Sequence, residues 1–141
     1  MPDALTKTQR SYNMSRIRGK DTTPEMIVRR LVHSMGYRYR LHVRSLPGTP
    51  DIVFHSRRQA IFVHGCFWHR HSCKLGRPMP KTRRSFWKTK LEGNRLRDAR
   101  QRRVLLRMGW QALTIWECQT KARMLERLRQ RIATFLERRQ E

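Results

Sequence analysis

From Val63 to Cys73 the chain reads Val-His-Gly-Cys-Phe-Trp-His-Arg-His-Ser-Cys, two cysteines, three histidines and two large aromatics in one short stretch. Neither an ordinary core nor an ordinary surface asks for that mixture. Cys66, His71 and Cys73 have the softness and close spacing of zinc ligands. A metal would hold the loop rigid, with Phe67 and Trp68 presented between the ligands. A closed tetrahedral site needs a fourth ligand, and Cys118, just past a later apolar run, fits. That bridge would tie the C-terminal half of a sheet to its centre. The competing reading is three buried or idle thiols.

Charge sets the second constraint. The sequence carries 33 Lys plus Arg against 10 Asp plus Glu, a formal net charge of +23. Such a chain repels itself and seeks polyanions, either nucleic acid or an anionic membrane. No run of about 18 apolar residues could span a bilayer, and the polar N-terminus lacks the apolar core of a signal peptide. The expectation is a cytoplasmic protein without membrane partners. An odd cysteine count without an export signal argues against a disulfide framework and for thiolates used on metal. At 141 residues the chain suits one domain. Residues 1–20, basic and polar apart from Tyr12, Met14 and Ile17, read as an arm, and 21–141 as a single domain.

Periodicity orders the elements. Thr22 and Thr23 offer an N-cap, Pro24 suits a first turn, and Glu25 favours the positive end of the helix dipole. Ile27, Leu31, Val32 and Met35 follow at helical spacing before Gly36, which predicts a helix at about 23–35. Residues 37–43 alternate as a strand with one wet face. The short apolar runs 51–54 and 60–64, split by a polar turn, have the form of a buried hairpin. A loop is expected over 74–84, a long basic helix from about 84 to 108, a strand at 110–116 and a helix at about 119–139. The sum is an α/β domain with helices flanking a central mixed β-sheet.

Acids are scarce here, and on a phosphate-binding face an acid works against binding unless a metal neutralises it. Asp51 directly follows Pro50 at a strand start, a position that can present a divalent cation. A turn cap is an equal alternative. His64 ends the next strand, His69 lies in the metal loop, and both could face Asp51. A neutral imidazole accepts a proton from water, and an imidazolium stabilises a pentavalent phosphate, which suits phosphodiester hydrolysis. His33, His42 and His55 are assigned to ordinary surface or core positions. Phe67 and Trp68, with Phe86 and Trp87, pack as core in most contexts. On a metal-fixed loop they can instead wedge into a base stack, where unstacking costs less at a mismatch.

These residues carry a resemblance. Pro47-Gly48-x-Pro50-Asp51, Phe62 to Cys73, Phe86-Trp87, Asn94, Arg97-Asp98, Gly109-Trp110 and Trp116-Glu117-Cys118 closely resemble the very short patch repair (Vsr) mismatch endonucleases, over about Arg10 to Cys118. The resemblance implies a restriction-endonuclease-like fold and an enzyme that nicks one strand of double-stranded DNA 5′ of the thymine in a G·T mismatch, the product of 5-methylcytosine deamination. It implies catalytic Mg2+ on Asp51 and the backbone carbonyl of Val63, where the family pattern has threonine. It further implies His69 as general base oriented by Asp98, His64 on the reacting phosphate and Glu25 on the metal's water. Structural Zn2+ would take Cys66, His71, Cys73 and Cys118. Phe67, Trp68 and Trp87 would intercalate, Met14 would reach in from the minor groove, and Lys90 and Asn94 would lie near the mismatched bases. A monomer is expected, with mismatch-repair proteins such as MutL as partners. Two other readings stay open: a non-catalytic zinc-containing nucleic-acid-binding protein, and a restriction-type nuclease of the same fold that cuts both strands.

Overall fold

A computed structural model of the chain describes residues 21–138. Thr22, in extended backbone, accepts the Glu25 amide at 3.4 Å, and Pro24 sits in the first turn of helix α1, Thr23–Ser34. Gly36, at φ 87°, then turns the chain away through a conformation that glycine adopts without cost. Four strands follow as one sheet in the order β1-β2-β3-β4: β1 Arg40–Leu41, β2 Ile52–Phe54, β3 Gln59–His64 and β4 Gln111–Trp116. The first two pairings are antiparallel and the β3–β4 pairing is parallel. The parallel step needs a crossover, supplied by α2, Arg84–Arg107, before α3, Leu125–Glu137, closes the fold.

Strand alternation sorts the two faces. Ile52, Phe54, Ile61 and Ile115 pack on one side with Val28 and Val32 of α1 and Leu128, Ile132, Phe135 and Leu136 of α3. Val53, Ala60 and Phe62 face the other side and meet Leu105 of α2. By the same alternation His64 falls on the α2 side. The expected mixed sheet between helices is therefore present, and among the described residues no helix is long and apolar enough to cross a membrane.

Boundaries moved for identifiable reasons. The strand expected over 37–43 keeps only Arg40–Leu41, because His42 enters the left-handed region at φ 47°. The His42 and Val43 amides then donate to the carbonyls of Asp51 and Pro50 at 3.1 and 3.2 Å. Asp51 precedes β2 instead of opening it, with its amide on the Ile61 carbonyl at 3.1 Å. The C-terminal helix, expected from about 119, starts at Leu125 because two short 3-10 turns occupy Glu117–Thr120 and Ala122–Met124. Cys118 rides on the first of them. The expected N-terminal arm, Met14 included, lies outside the described residues.

Candidate active site and metal centre

Asp51 and Glu25 bring two carboxylates together at the mouth of the sheet. The Val63 amide, at the end of β3, donates to Asp51 Oδ2 at 2.7 Å. Burial is the main cause that pushes Asp51 up to about 7; the Val63 hydrogen bond opposes it, and the charge of Glu25 adds to it. Glu25 is only 1% exposed yet hydrogen-bonded throughout. Arg29 Nη1 reaches its Oε2 at 3.1 Å, and His42 Nε2 stands 3.0 and 2.9 Å from Oε1 and Oε2. The charge of Glu25 disfavours the Asp51 carboxylate more than His42 favours it, and a hard divalent cation with oxygen ligands would relieve that repulsion. The residues fit such an ion.

The imidazoles form the other wall. His64 and His69 stack with centroids 3.8 Å apart and planes 4° from parallel. His69 Nδ1 is hydrogen-bonded to Asp98 Oδ2 of α2, which directs the opposite ring nitrogen away from Asp98. Burial first, then the neighbouring His69, pushes His64 down to about 3, while Asp98 pulls it the other way. Two stacked rings do not both hold a proton, and here the buried one stays neutral. His64 Nδ1 is buried without a hydrogen-bond partner, a state that costs a polar atom about 1–3 kcal/mol and leaves it ready for a ligand. Asp51, His64, His69 and Asp98 line one cleft, which continues past Thr114 to Arg102 and Arg131. Arg102 donates to Thr114 Oγ1 at 3.3 Å and Arg131 to Gln119 Oε1 at 2.8 Å. Burial, and then the charge of Arg102, holds Arg131 below the usual guanidinium pKa.

The sulfur cluster closes next door. Ligand atoms of Cys66, His71, Cys73 and Cys118 all lie within 4.8 Å of one another. His71 Nδ1 stands 3.7 Å from Cys66 Sγ and 3.5 Å from Cys118 Sγ. A tetrahedron built on Zn–S bonds of about 2.3 Å has edges of about 3.7 Å, so the spacing fits a bound dication. Burial pushes Cys66 up to about 12 and raises Cys118 as well. For Cys73 burial is outweighed by hydrogen bonds, His71 first, and its thiol falls to about 6. One sulfur thus carries charge readily, and a dication would supply what the other two need. The Cys66 amide donates to Glu117 Oε1 at 3.2 Å, and Trp116 stacks on His71 at 4.2 Å. Gly76 is obligatory in this loop: a Cβ there would fall 2.0 Å from the His71 carbonyl oxygen.

Phe67, Trp68 and Trp87 gather into one aromatic cluster. Their centroids are 5.3 Å apart for Phe67–Trp68 and 5.8 Å for Trp87 with either ring. Phe67 and Trp68 line a second depression with Lys90 and Asn94, and Val63, His69 and Asp98 line both depressions. Asn94 Nδ2 donates to the Trp68 carbonyl at 3.1 Å and so fixes the loop that carries the rings. Phe86 stays exposed under the Arg83 guanidinium at 4.3 Å.

Every described residue singled out from the sequence as a site candidate therefore falls in one of three adjoining places. Asp51, His64, His69 and Asp98 share the cleft with Glu25 beside Asp51, the sulfur ligands form the cluster, and Phe67, Trp68, Lys90 and Asn94 line the second depression with Trp87 against the two rings. His42 corrects the sequence reading, because it was assigned to an ordinary position and instead grips Glu25. No local pattern could have announced a contact between residues 17 apart. Arg29, Trp116 and Gly76 were likewise passed over as site residues, and only the glycine, in a ligand-dense loop, carried a local hint.

Residues 2–75 match the family model described as DNA mismatch endonuclease Vsr. A type II nicking enzyme of Xanthomonas oryzae, V.XorIIP, is 51% identical over 84% of this chain and 87% of its own length. The DNA mismatch endonuclease Vsr of Escherichia coli is 42% identical, covering 87% of this chain and 78% of its own. The type II nicking enzyme V.NmeAIP of Neisseria meningitidis is 37% identical over 92% and 91%.

Proposed function

The chain belongs to the DNA mismatch endonuclease Vsr family, and we propose that it nicks one strand of duplex DNA 5′ of the thymine in a G·T mismatch, opening very short patch repair. The observation that carries this reading is the cleft itself. Asp51, with Glu25 beside it, shares the cleft with two stacked imidazoles, one of them tied to Asp98, and His69 adjoins the aromatic rings in the second depression.

The chemistry follows from where protons sit. Asp98 holds the Nδ1 hydrogen of His69, so Nε2 is the atom that takes a proton from the attacking water. His64 stays neutral at working pH and offers the reacting phosphate a hydrogen bond rather than a full charge. Asp51 and the Val63 carbonyl would hold magnesium, with Glu25 in its outer sphere; when bound, the ion supplies Lewis-acid stabilisation of the phosphate. Val63 in place of the family's threonine removes a hydroxyl and leaves the carbonyl. Cys66, His71, Cys73 and Cys118 would hold structural zinc, since a three-sulfur, one-nitrogen donor set suits that metal. Phe67, Trp68 and Trp87 enter the base stack where a mismatch has already weakened it. Lys90 and Asn94 lie on the same side, and Met14 of the arm 1–20, which lies outside the described residues, would reach in from the minor groove.

The fold reading is restriction-endonuclease-like, the working unit a monomer suited to an asymmetric mismatch, the location cytoplasmic, and the onward partners mismatch-repair proteins such as MutL. A binder without catalysis would have no use for Glu25, Asp51 and Asp98 near phosphate. End-labelled duplexes carrying each mismatch, incubated with magnesium or with chelator, test the proposal. One break, 5′ of thymine in G·T only and only with magnesium, is the expected pattern. Cutting of both strands, or intact DNA throughout, overturns it.

A further inference from the structure

His42 serves two parts of the acidic cleft at once. Its φ of 47° lies in the left-handed region, which a non-glycine residue adopts only when its surroundings hold it there. The turn ends β1 and places the His42 amide 3.1 Å from the Asp51 carbonyl. It also swings the imidazole across to α1, where Nε2 meets both oxygens of Glu25 at 3.0 and 2.9 Å. An ionised carboxylate only accepts, so Nε2 carries the hydrogen. Arg29 at 3.1 Å and the Asp21 amide at 3.4 Å engage the same two oxygens from the α1 side. With partners on both oxygens from both directions, the Glu25 carboxylate has one orientation left. Asp51 is close enough to sense the charges of Glu25 and His42.

We propose that His42 is a positioning residue for nicking: it locks the Glu25 carboxylate through its ring and anchors Asp51 through its backbone, and so fixes how the two acids face the cation. The proposal rests on the nicking reading given above. A role confined to the fold would show only in stability, whereas positioning must show in cation use and turnover. Outer-sphere partners of metal sites change affinity or activity by roughly 10–100-fold when removed.

Two substitutions separate ring from backbone. His42→Gly accepts the left-handed φ and removes only the side chain, whereas His42→Gln keeps an N–H donor at similar reach. Single-turnover nicking of a G·T duplex over a magnesium series, magnesium calorimetry on the protein without DNA, DNA affinity and thermal melting are measured for both. His42→Gly is expected to slow maximal nicking about tenfold or more and to weaken magnesium binding severalfold at unchanged DNA affinity, with His42→Gln restoring most of both. Wild-type behaviour of His42→Gly, or equal impairment of His42→Gln, overturns the proposal. Should the glycine variant melt too low, His42→Asn, which also tolerates the left-handed region but is too short to reach Glu25, takes its place with the same expectation. Wild-type protein that nicks nothing would sink the nicking reading alone. The calorimetric comparison then still decides on His42, since equal magnesium affinity in all variants overturns it.

Discussion

Two clusters of polar side chains flank the C-terminal ends of β3 and β4, and they are built in opposite ways. The sulfur cluster draws three of its four members from one loop and is compact, with Cys66 fully buried, the other three half-buried and Trp116 lying flat on His71. The acid and imidazole cleft draws Asp51 from before β2, His64 from β3, His69 from the loop and Asp98 from α2, with buried Glu25 of α1 beside Asp51, and it opens to solvent. Structural metal sites are closed and catalytic ones keep room for a substrate. On the reading proposed above, the compact cluster serves stability and the open cleft serves chemistry.

The strongest attempt to break that division is Cys118→Ser. If the sulfur cluster is structural, the variant loses its metal and most of its folding free energy, since structural zinc contributes on the order of 10 kcal/mol in small metal-dependent folds. Metal analysis and thermal melting decide, and an unchanged melting temperature with no metal in either protein would erase the distinction. Asp51→Ala is the counterpart in the cleft. It is expected to cut nicking by about a thousandfold, several kcal/mol of lost transition-state stabilisation. DNA affinity, held by phosphate contacts elsewhere, should stay within a few fold. Binding that falls in step with nicking would make Asp51 part of the scaffold.

A smaller effect sharpens the comparison through pH. Asp51 is raised from 3.8 to about 7 by burial, so between those values the folded protein keeps a proton that the unfolded chain has released. Stability of the protein free of magnesium should therefore fall as pH rises through that window, by up to about 1.4 kcal/mol per unit, and level off above it. Asp51→Asn removes this slope, and magnesium should offset the fall in the unsubstituted protein. Urea melts from pH 4.5 to 7.5 with zinc held bound measure it; a slope that survives in the variant would assign the effect to another group. The smallest expected change concerns the cleft's far end. Arg131→Gln should lower the slope of log affinity against log salt by about one. The same change at exposed Arg129 should do less, and equal effects would detach that end from the DNA path.

The same contrast explains what could be read from sequence. Spacing announced Cys66, His71 and Cys73, because a loop brings close neighbours together whatever the rest of the chain does. The β2–β3 hairpin was legible for a similar reason, as two apolar runs joined by a short polar turn. The grip of His42 on Glu25 was not, since it depends on a left-handed turn that no residue near His42 demands. Nor were the 3-10 turns before α3: the helix was expected from about 119, and the mostly polar residues between Cys118 and Met124 carry no period that separates such turns from a regular helix. Resemblance supplied roles for Val63, Lys90 and Asn94 that local physics left blank.

Trp116 pairs with His64 in the parallel register, lies flat on His71 and sets its edge toward His64 with centroids 5.3 Å apart. One indole is thus a party wall between the sulfur chamber and the hydrolytic one. A change that shifts this indole would therefore be felt on both sides at once, at the His71 ring and at the His64 ring.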